Sequence, residues 1–386
     1  MRRHPMTTAA TIHPAEPTAS HPPSHRAPPP AVAPATGAHV WLGPQLASQT
    51  DWIDHFTAAE IKELLSALAQ AKARFGDFQE VRRQDFDAPG LQARFRAVRR
   101  QLEQGRGFMM LRGLPLDDLS DADCKLLFWG IGMQLGVPLC QSARGELLAE
   151  VKDVGEKMGQ STSRAYRAAG PLRFHTDQCD VLGLMCIREP LSGGHSRIAS
   201  SPALHNELLR TRPDLLATLR QDFHFSRQGE AVAGEQAWYT RPIFAGEGDA
   251  FTSVFSQSHI ESAQKLDGVP RLTEAQREAV QTVARLADQH SLTVELRRGD
   301  LQFFNNHVIY HSRTDYQDHA EADRKRTLLR LWLAVPDSRR LPDAFAPFYG
   351  STAPGALRGG ILHASGRRYA FPDWEAAGWT AADLAA

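Results

Sequence analysis

The sequence predicts a mainly β protein, a double-sheet jelly roll with flanking helices. Apolar residues make up 42% of the 386 positions, enough for a sizeable core. The strand-like segments are short and are separated by turns such as Arg298-Gly299-Asp300. They do not alternate regularly with helices, which argues against a doubly wound parallel sheet. The predicted strands are 107–113, 181–187, 292–296, 301–304, 308–311 and 327–335.

Helix starts are recognisable from capping residues. Thr57 and Glu60 form a capping box ahead of a periodic apolar stretch, which predicts an amphipathic helix. Similar signals predict helices that begin near Ser120, Ser201 and Thr273.

The first 38 residues differ in composition from the rest of the chain. They are rich in Pro, Ala, Thr and His and include three consecutive prolines at 28–30. Such a segment buries too little apolar surface to offset the entropy of ordering it. We therefore expect residues 1–38 to be a disordered tail and residues 39–386 to form a single domain.

Composition also argues against several partners and locations. Lys plus Arg equals Asp plus Glu at 44 each, without a basic stripe, so we expect no nucleic-acid partner. No apolar run approaches the roughly 20 residues of a membrane-spanning helix, and the N-terminus lacks a signal-peptide pattern. The four cysteines form no C-x-x-C pair, which favours a reducing cytoplasm. Nothing in the sequence predicts the oligomeric state.

A candidate metal pair lies at His175 and Asp177. On a strand, residues two apart point to the same face. Together with a distant second histidine, this pair makes a facial triad that leaves three positions open on Fe(II), as oxygen chemistry requires.

The pair alone is weak, because about two His-x-acid pairs are expected by chance in such a chain. Four occur, at 175/177, 205/207, 259/261 and 319/321. The pair at 205 lies on a predicted helix, where positions i and i+2 do not share a face, and the pair at 319 lies in a charged loop. The pair at 259 stays open because the sequence does not decide between strand and helix there, but no arginine strand follows it at suitable spacing.

The third ligand is expected from a segment with two histidines, His307 and His311. Both would share one face of a strand. We prefer His311, which lies at the strand end next to the polar Ser312 and Arg313. His307 is expected to hydrogen-bond nearby instead.

A strand with two arginines follows. Arg326, Leu328, Arg330 and Trp332 are predicted to share one face, opposite a leucine-rich core face. An interior guanidinium is costly unless it meets an anion, either an internal carboxylate or a bound ligand. Arg326 follows His311 by fifteen residues, close enough to bind the far carboxylate of a 2-oxo diacid beside the metal.

These motifs occur in a specific order. They are His-Thr-Asp at 175–177, Ser-Gly-Gly-His-Ser at 192–196, Asn-Asn with a later His-Ser-Arg at 305–313, and Arg-Thr-Leu-Leu-Arg-Leu-Trp-Leu at 326–333. Their combination resembles the taurine dioxygenase and clavaminate synthase-like (TauD/TfdA) family of Fe(II)- and 2-oxoglutarate-dependent dioxygenases. The resemblance covers residues 164–335.

The resemblance implies a double-stranded β-helix with iron on His175, Asp177 and His311. It further implies that Arg326 binds the distal carboxylate of 2-oxoglutarate, with help from the Ser196 hydroxyl. O2 would be the second co-substrate.

For the substrate, the resemblance implies that Arg330 anchors an acidic group and that Tyr166 and Gln141 line the pocket. Plain packing is the alternative for the last two, and a structural role is the alternative for Arg330. For Ser196 the alternative to a co-substrate contact is an ordinary turn after Gly193 and Gly194.

The sequence departs from the family pattern in two places. His195 stands where an acidic residue is commoner, and residues 317–325 form a long insertion before Arg326. The insertion leaves open whether Arg326 or Arg330 holds 2-oxoglutarate.

The predicted function is oxidation of an unactivated C–H bond, by hydroxylation or desaturation, in a small anionic or zwitterionic molecule, with release of succinate and CO2. A metal-dependent hydrolase with the same ligands and a non-catalytic jelly-roll binding protein are the alternatives. The hydrolase would leave Arg326 without a role.

Overall fold

Two β-sheets build the centre of the protein. A computed structural model describes residues 32–155, 170–232 and 234–385. Its strands are β1 (Ile53–His55), β2 (Phe108–Arg112), β3 (Val137–Pro138), β4 (Leu148–Val151), β5 (Leu172–His175), β6 (Val181–Arg188), β7 (Ser192–Gly193), β8 (Ser196–Ser200), β9 (Phe223–Ser226), β10 (Trp238–Arg241), β11 (Phe244–Ala245), β12 (Thr252–Ser253), β13 (Leu292–Val294), β14 (Leu301–Asn305), β15 (Ile309–Arg313), β16 (Tyr316–Gln317) and β17 (Thr327–Ala334).

The main sheet, within these described residues, has seven strands in the order β1-β2-β14-β6-β17-β3, with β4 also paired to β17. The second sheet has the order β13-β8-β15-β5. The β1–β2 pair is parallel, and the neighbours β14–β6, β6–β17 and β15–β8 are antiparallel. Every predicted strand is formed, so the predicted mainly β class with flanking helices is confirmed.

The helices lie between and outside the strands. They are α1 (Gly43–Leu46), α2 (Ala58–Arg74), α3 (Gln92–Glu103), α4 (Asp121–Leu135), α5 (Ser201–Thr211), α6 (Pro213–Leu219), α7 (Gln257–Ala263), α8 (Glu274–His290), α9 (Ala346–Tyr349) and α10 (Ala381–Ala385).

Capping determines where the longer helices begin. Thr57, Ser120 and Thr273 are the N-cap residues of α2, α4 and α8, and each forms the reciprocal hydrogen bonds of a capping box. Ser200, one residue before the predicted start, caps α5. No helix in the described part of the chain is both long and apolar enough to cross a membrane.

The hydrophobic core lies where α2, α3 and α4 pack on the main sheet. Helix α4 is buried on nearly all sides, because it lies between the sheet and the other helices. From β17 the core receives Leu329, Leu331 and Leu333, which confirms the predicted core face of that strand. The opposite face of β17 is therefore left for the site.

The compact unit that contains both sheets begins at Pro34. The Ala35 N–H donates to Asn206 Oδ1 at 2.7 Å, and the Ala35 carbonyl accepts from Asn206 Nδ2 at 2.8 Å. Residues 1–31 of the predicted tail lie outside the described residues. The prediction that residues 1–38 form a disordered tail and that the domain begins at residue 39 therefore remains an expectation.

Candidate metal centre

Neighbouring strands of the second sheet carry the two predicted histidine ligands. His175 on β5 lies directly opposite His311 on β15, and their ring centroids are 4.1 Å apart. Asp177 follows β5, with Oδ1 at 3.9 Å from His175 Nε2 and Oδ2 at 3.8 Å from His311 Nε2. One ligand atom from each residue lies within 4.8 Å of the others, and no other such cluster of three occurs in the described residues.

Hydrogen bonds orient this triad. His175 Nδ1 contacts the Arg173 carbonyl at 2.9 Å, which turns Nε2 towards Asp177. The Asp177 N–H donates to Asn306 Oδ1 at 3.1 Å. The His311 ring packs on Phe304 at a centroid distance of 5.1 Å. The three donor atoms therefore converge and fit a metal that takes two imidazoles and one carboxylate.

Asp177 is held in its ionised form. Burial raises the pKa of Asp177, but the charges of Arg330, His311 and His175 and the Trp332 hydrogen bond outweigh burial and lower it. Burial, together with the charge of His175, holds the pKa of His311 well below its ordinary value. A carboxylate and a neutral imidazole are the forms that bind metal.

His307 has a different environment. Its Nε2 lies 2.8 Å from Asp180 Oδ1 and its Nδ1 lies 3.1 Å from Thr252 Oγ1, with the side chain fully buried. Both ring nitrogens are used within the protein. The structure thus brings His311, not His307, to Asp177.

The rival His-x-acid pairs do not form comparable clusters. His259 and Glu261 lie on α7 and His205 lies on α5, so neither has a carboxylate two residues away on its own face. His259 is nevertheless near the triad. Burial, followed by the charge of His175 and then that of Arg241, lowers its pKa to about 4. Sequence analysis missed this neighbour because the strand-or-helix state of the segment was undecided.

Arg326 immediately precedes β17 and is 3% exposed. Its Nη2 donates to the Gly194 carbonyl at 3.2 Å, and its guanidinium carbon lies 5.2 Å from the Tyr316 ring centroid. Its Nη1 is buried without a hydrogen-bond partner. Burial lowers the pKa of Arg326, as expected for a cation without a paired carboxylate.

Two glycines make room for this arginine. Gly193 and Gly194 have φ angles of +77° and +68°, a backbone region that residues other than glycine rarely adopt. A Cβ at residue 194 would lie 2.9 Å from Arg326 Nε. The Gly-Gly motif therefore allows close approach of the backbone to Arg326.

Ser196, two residues further on, is buried on β8. Its hydroxyl donates to Gln302 Oε1 at 2.7 Å, and Gln302 Nε2 has no partner. Sequence analysis did not select Gln302. The available signal was a polar residue within the apolar strand β14.

Arg330 is engaged on two sides. Its Nε donates to Gln141 Oε1 at 2.7 Å, and its Nη1 lies 3.7 Å from Asp177 Oδ2. Gln141 Nε2 donates to the carbonyls of Arg330 and Leu147, at 2.8 and 3.1 Å. The polar groups of Gln141 are thus engaged with Arg330 and Leu147, and its place in the substrate pocket stays a prediction. Tyr166, the other predicted pocket residue, lies outside the described residues.

A family profile matches this chain over residues 66–332, and its description is taurine catabolism dioxygenase TauD, TfdA family. The chain belongs to the TauD/TfdA family. The matched range includes β5, β15 and Arg326. Family membership confirms the predicted class of activity, an Fe(II)- and 2-oxoglutarate-dependent dioxygenase.

Two TauD/TfdA-like relatives have descriptive names. FR-33289 synthase of Streptomyces rubellomurinus is 28% identical over 325 residues, which cover 81% of this chain and 94% of the relative. The taurine hydroxylase-like protein SAT17 of Stachybotrys chartarum is 28% identical over 305 residues, which cover 76% of this chain and 77% of the relative.

Solved structures have the same fold as this TauD/TfdA chain. Asparagine oxygenase in complex with Fe(II), 2S,3S-3-hydroxyasparagine and succinate has a TM-score of 0.58 at 17% identity, with 73% of this chain and 93% of the other covered. The non-heme iron oxygenase OrfP with Fe and alpha-ketoglutaric acid has a TM-score of 0.58 at 16% identity, with the same coverage. The predicted double-stranded β-helix is thereby confirmed.

Proposed function

We propose that this dioxygenase holds Fe(II) through His175, Asp177 and His311 and oxidises a C–H bond of a small zwitterionic or anionic molecule. One observation carries the assignment. The protein contains both the converging triad and a buried arginine, Arg326, whose Nη1 has no hydrogen-bond partner. When bound, iron and 2-oxoglutarate would activate O2 for this oxidation, and succinate and CO2 would be released.

Arg326 binds the distal carboxylate of 2-oxoglutarate in this proposal. Its free Nη1 is a charge-assisted donor, and a carboxylate there relieves the cost of burying an unpaired cation. Arg330 is less suited, because its guanidinium already contacts Gln141 and Asp177. These contacts support Arg326 over Arg330, between which the sequence left the choice open.

Ser196 and Gln302 complete the carboxylate site. With the Gln302 amide turned by 180°, Nε2 donates to Ser196 Oγ and the serine proton becomes available to the ligand. Two hydrogens of this pair remain for acceptors in either orientation: both on Nε2 in the first, and one on Nε2 and one on the serine hydroxyl in the second. The hydrogen-bonding capacity of this pair favours an oxyanion beside Arg326.

Arg330 is proposed to anchor an acidic group of the substrate. Its place against Asp177, maintained by Gln141, keeps the anchor next to the metal. The family description names taurine catabolism, and relatives of known structure were solved with hydroxylated asparagine or arginine. These molecules are small zwitterions, which supports the same class of substrate here.

The alternatives explain fewer features. A hydrolase with the same three ligands leaves the unpaired Arg326 and Gln302 Nε2 unexplained. A non-catalytic binding protein would use the site without turnover.

The four cysteines Cys124, Cys140, Cys179 and Cys186 are free and buried, which agrees with the predicted cytoplasmic location.

A succinate assay tests the proposal. Anaerobically purified protein is mixed with Fe(II), ascorbate and 2-oxoglutarate, and O2 is then admitted. We expect slow succinate release that small amino acids and amino sulfonates accelerate, and no release by His311→Ala. The same rate in both proteins, or no succinate with any compound, would overturn the assignment.

A further inference from the structure

A second buried arginine lies outside the roles given so far. Arg241, at the end of β10, is 2% exposed, and its Nε and Nη1 have no hydrogen-bond partner. No ion pair to a carboxylate is found for it within the described residues. Its charge is therefore buried with unused donors.

Aromatic rings enclose this guanidinium. Its central carbon lies 4.1 Å from the ring centroid of Phe225, 4.4 Å from Phe348, 5.5 Å from Tyr239 and 6.0 Å from Phe345. We call these four rings and Arg241 the Arg241 cage. Cation–π contacts stabilise the charge, but the ring faces do not replace oxygen acceptors in the guanidinium plane.

One residue of the Arg241 cage contacts the segment that carries Asp177. Gln178, the residue after Asp177, donates its side-chain amide to the Phe348 carbonyl. The Phe348 ring in turn lies 5.0 Å from the Tyr239 ring. The cage is thus joined to the metal-binding segment by a chain of direct contacts.

His259 provides a second connection. Burial, followed by the charges of His175 and Arg241, lowers the pKa of His259, so both groups lie near its ring. His259 is partly exposed, and Tyr239 is 8% exposed. Access to the cage is therefore expected on the side of His259.

We propose that Arg241 is a second anion subsite of the substrate pocket, which binds a carboxylate, phosphonate or sulfonate group. The substrate then carries two oxyanions, one on Arg330 and one on Arg241. This inference rests on the proposed function for the identity of the pocket. The observation behind it is independent, because the unpaired guanidinium needs an oxygen acceptor whatever the reaction.

Direct anion binding is tested with inorganic sulfate as the probe. Thermal unfolding is followed in increasing sodium sulfate against sodium chloride of equal ionic strength, with Mn(II) and saturating 2-oxoglutarate present to occupy the metal and Arg326 sites. Bound sulfate stabilises the folded protein by mass action. We expect an extra rise in Tm with sulfate for the wild type and a clearly smaller rise in Arg241→Gln, in which Arg330 remains as an anion site.

Arg227→Gln is the matched control. Arg227 lies 5.1 Å from the same Tyr239 ring, but it has the carboxylate of Glu235 at 3.8 Å and so needs no ligand. The control should keep the sulfate effect. An equal sulfate effect in all three proteins, or none in the wild type, would overturn the subsite. If Arg241→Gln does not fold, Arg241→Met replaces it, since an apolar chain suits the ring cage.

Kinetics then identify the substrate group. Pairs of amino compounds that differ only by one anion, such as glutamate against glutamine and 2-amino-3-phosphonopropionate against serine, are compared for stimulated succinate release. We expect the dianionic member to be preferred, and Arg241→Gln to raise its KM by about tenfold or more while kcat and 2-oxoglutarate binding change little.

The outcomes separate the two proposals. Arg241→Lys should restore part of the preference, whereas a purely structural arginine would affect both members of each pair equally. An unchanged preference in Arg241→Gln would overturn the inference. If the wild type forms no succinate at all, the proposed function fails, and the sulfate titration still decides the subsite.

Discussion

Trp332 donates its indole N–H to Asp177 Oδ2 at 2.9 Å, and this hydrogen bond links β17 of the main sheet to the metal centre of the second sheet. The indole engages Oδ2, so Oδ1 would remain free to bind the metal. Trp332→Phe keeps the ring volume and removes the donor. We expect it to weaken Fe(II) or Mn(II) binding roughly 10- to 100-fold, measured by anaerobic metal titration. An unchanged affinity would show that the indole only packs there.

The two histidines of β15 and its preceding turn should behave differently. His311→Ala removes a proposed ligand, so metal binding is expected to be lost while the fold is retained. His307→Ala should keep the metal but lower the free energy of unfolding by about 3 kcal/mol, because buried Asp180 loses a partner. Metal content and denaturant unfolding of both variants provide the measurement. Metal loss in His307→Ala alone would reverse their roles.

Arg326→Met should separate stability from co-substrate binding. The substitution removes a buried cation with an unpartnered Nη1, so the free energy of unfolding without ligand is expected to stay equal or rise. The dissociation constant for 2-oxoglutarate should increase by about 30-fold or more, as calorimetry would measure. Arg330→Gln is the comparison and should mainly impair the prime substrate. The opposite pattern would exchange the two arginines.

Gln141 is expected to affect substrate binding by positioning Arg330. Gln141→Ala removes the acceptor of Arg330 Nε and the amide that binds the Arg330 carbonyl. We expect a KM for the substrate several-fold higher, with 2-oxoglutarate affinity unchanged. Gln141→Glu keeps an acceptor and should retain more substrate affinity than Gln141→Ala. Equal effects in both variants would contradict the positioning role.

The pH dependence of stability should reveal the buried His307. Burial lowers its pKa to about 4, while an unfolded chain titrates near 6.5. Between these values the unfolded state binds the additional proton, so stability falls as the pH decreases from 6.5 to 4. The slope attributable to His307 approaches about 1 kcal/mol per pH unit. His307→Gln should show a shallower slope in denaturant unfolding at several pH values.

The strands and the triad were predictable because their signals are local. The two-residue spacing brings together His175, the last residue of β5, and Asp177, which follows that strand. The strand-end reason for choosing His311 was wrong, because His311 is the central residue of β15 and His307 lies in the turn before it. Capping boxes likewise need only a few neighbouring residues.

The parts that sequence analysis missed depend on packing between distant segments. Gln302, Arg241 and His259 acquire their significance only from what surrounds them after folding. The two hydrogen bonds between Gln141 and Arg330 were likewise not predictable, because they join residues far apart in the chain.

The cross-strand pair of His175 and His311 also determines when the centre is assembled. During synthesis, His175 emerges from the ribosome long before β15 has been translated. A nascent chain therefore has an imidazole and a carboxylate but no complete triad, and it should bind metal poorly. Iron loading would accordingly begin only after β15 has been translated and has paired with β5.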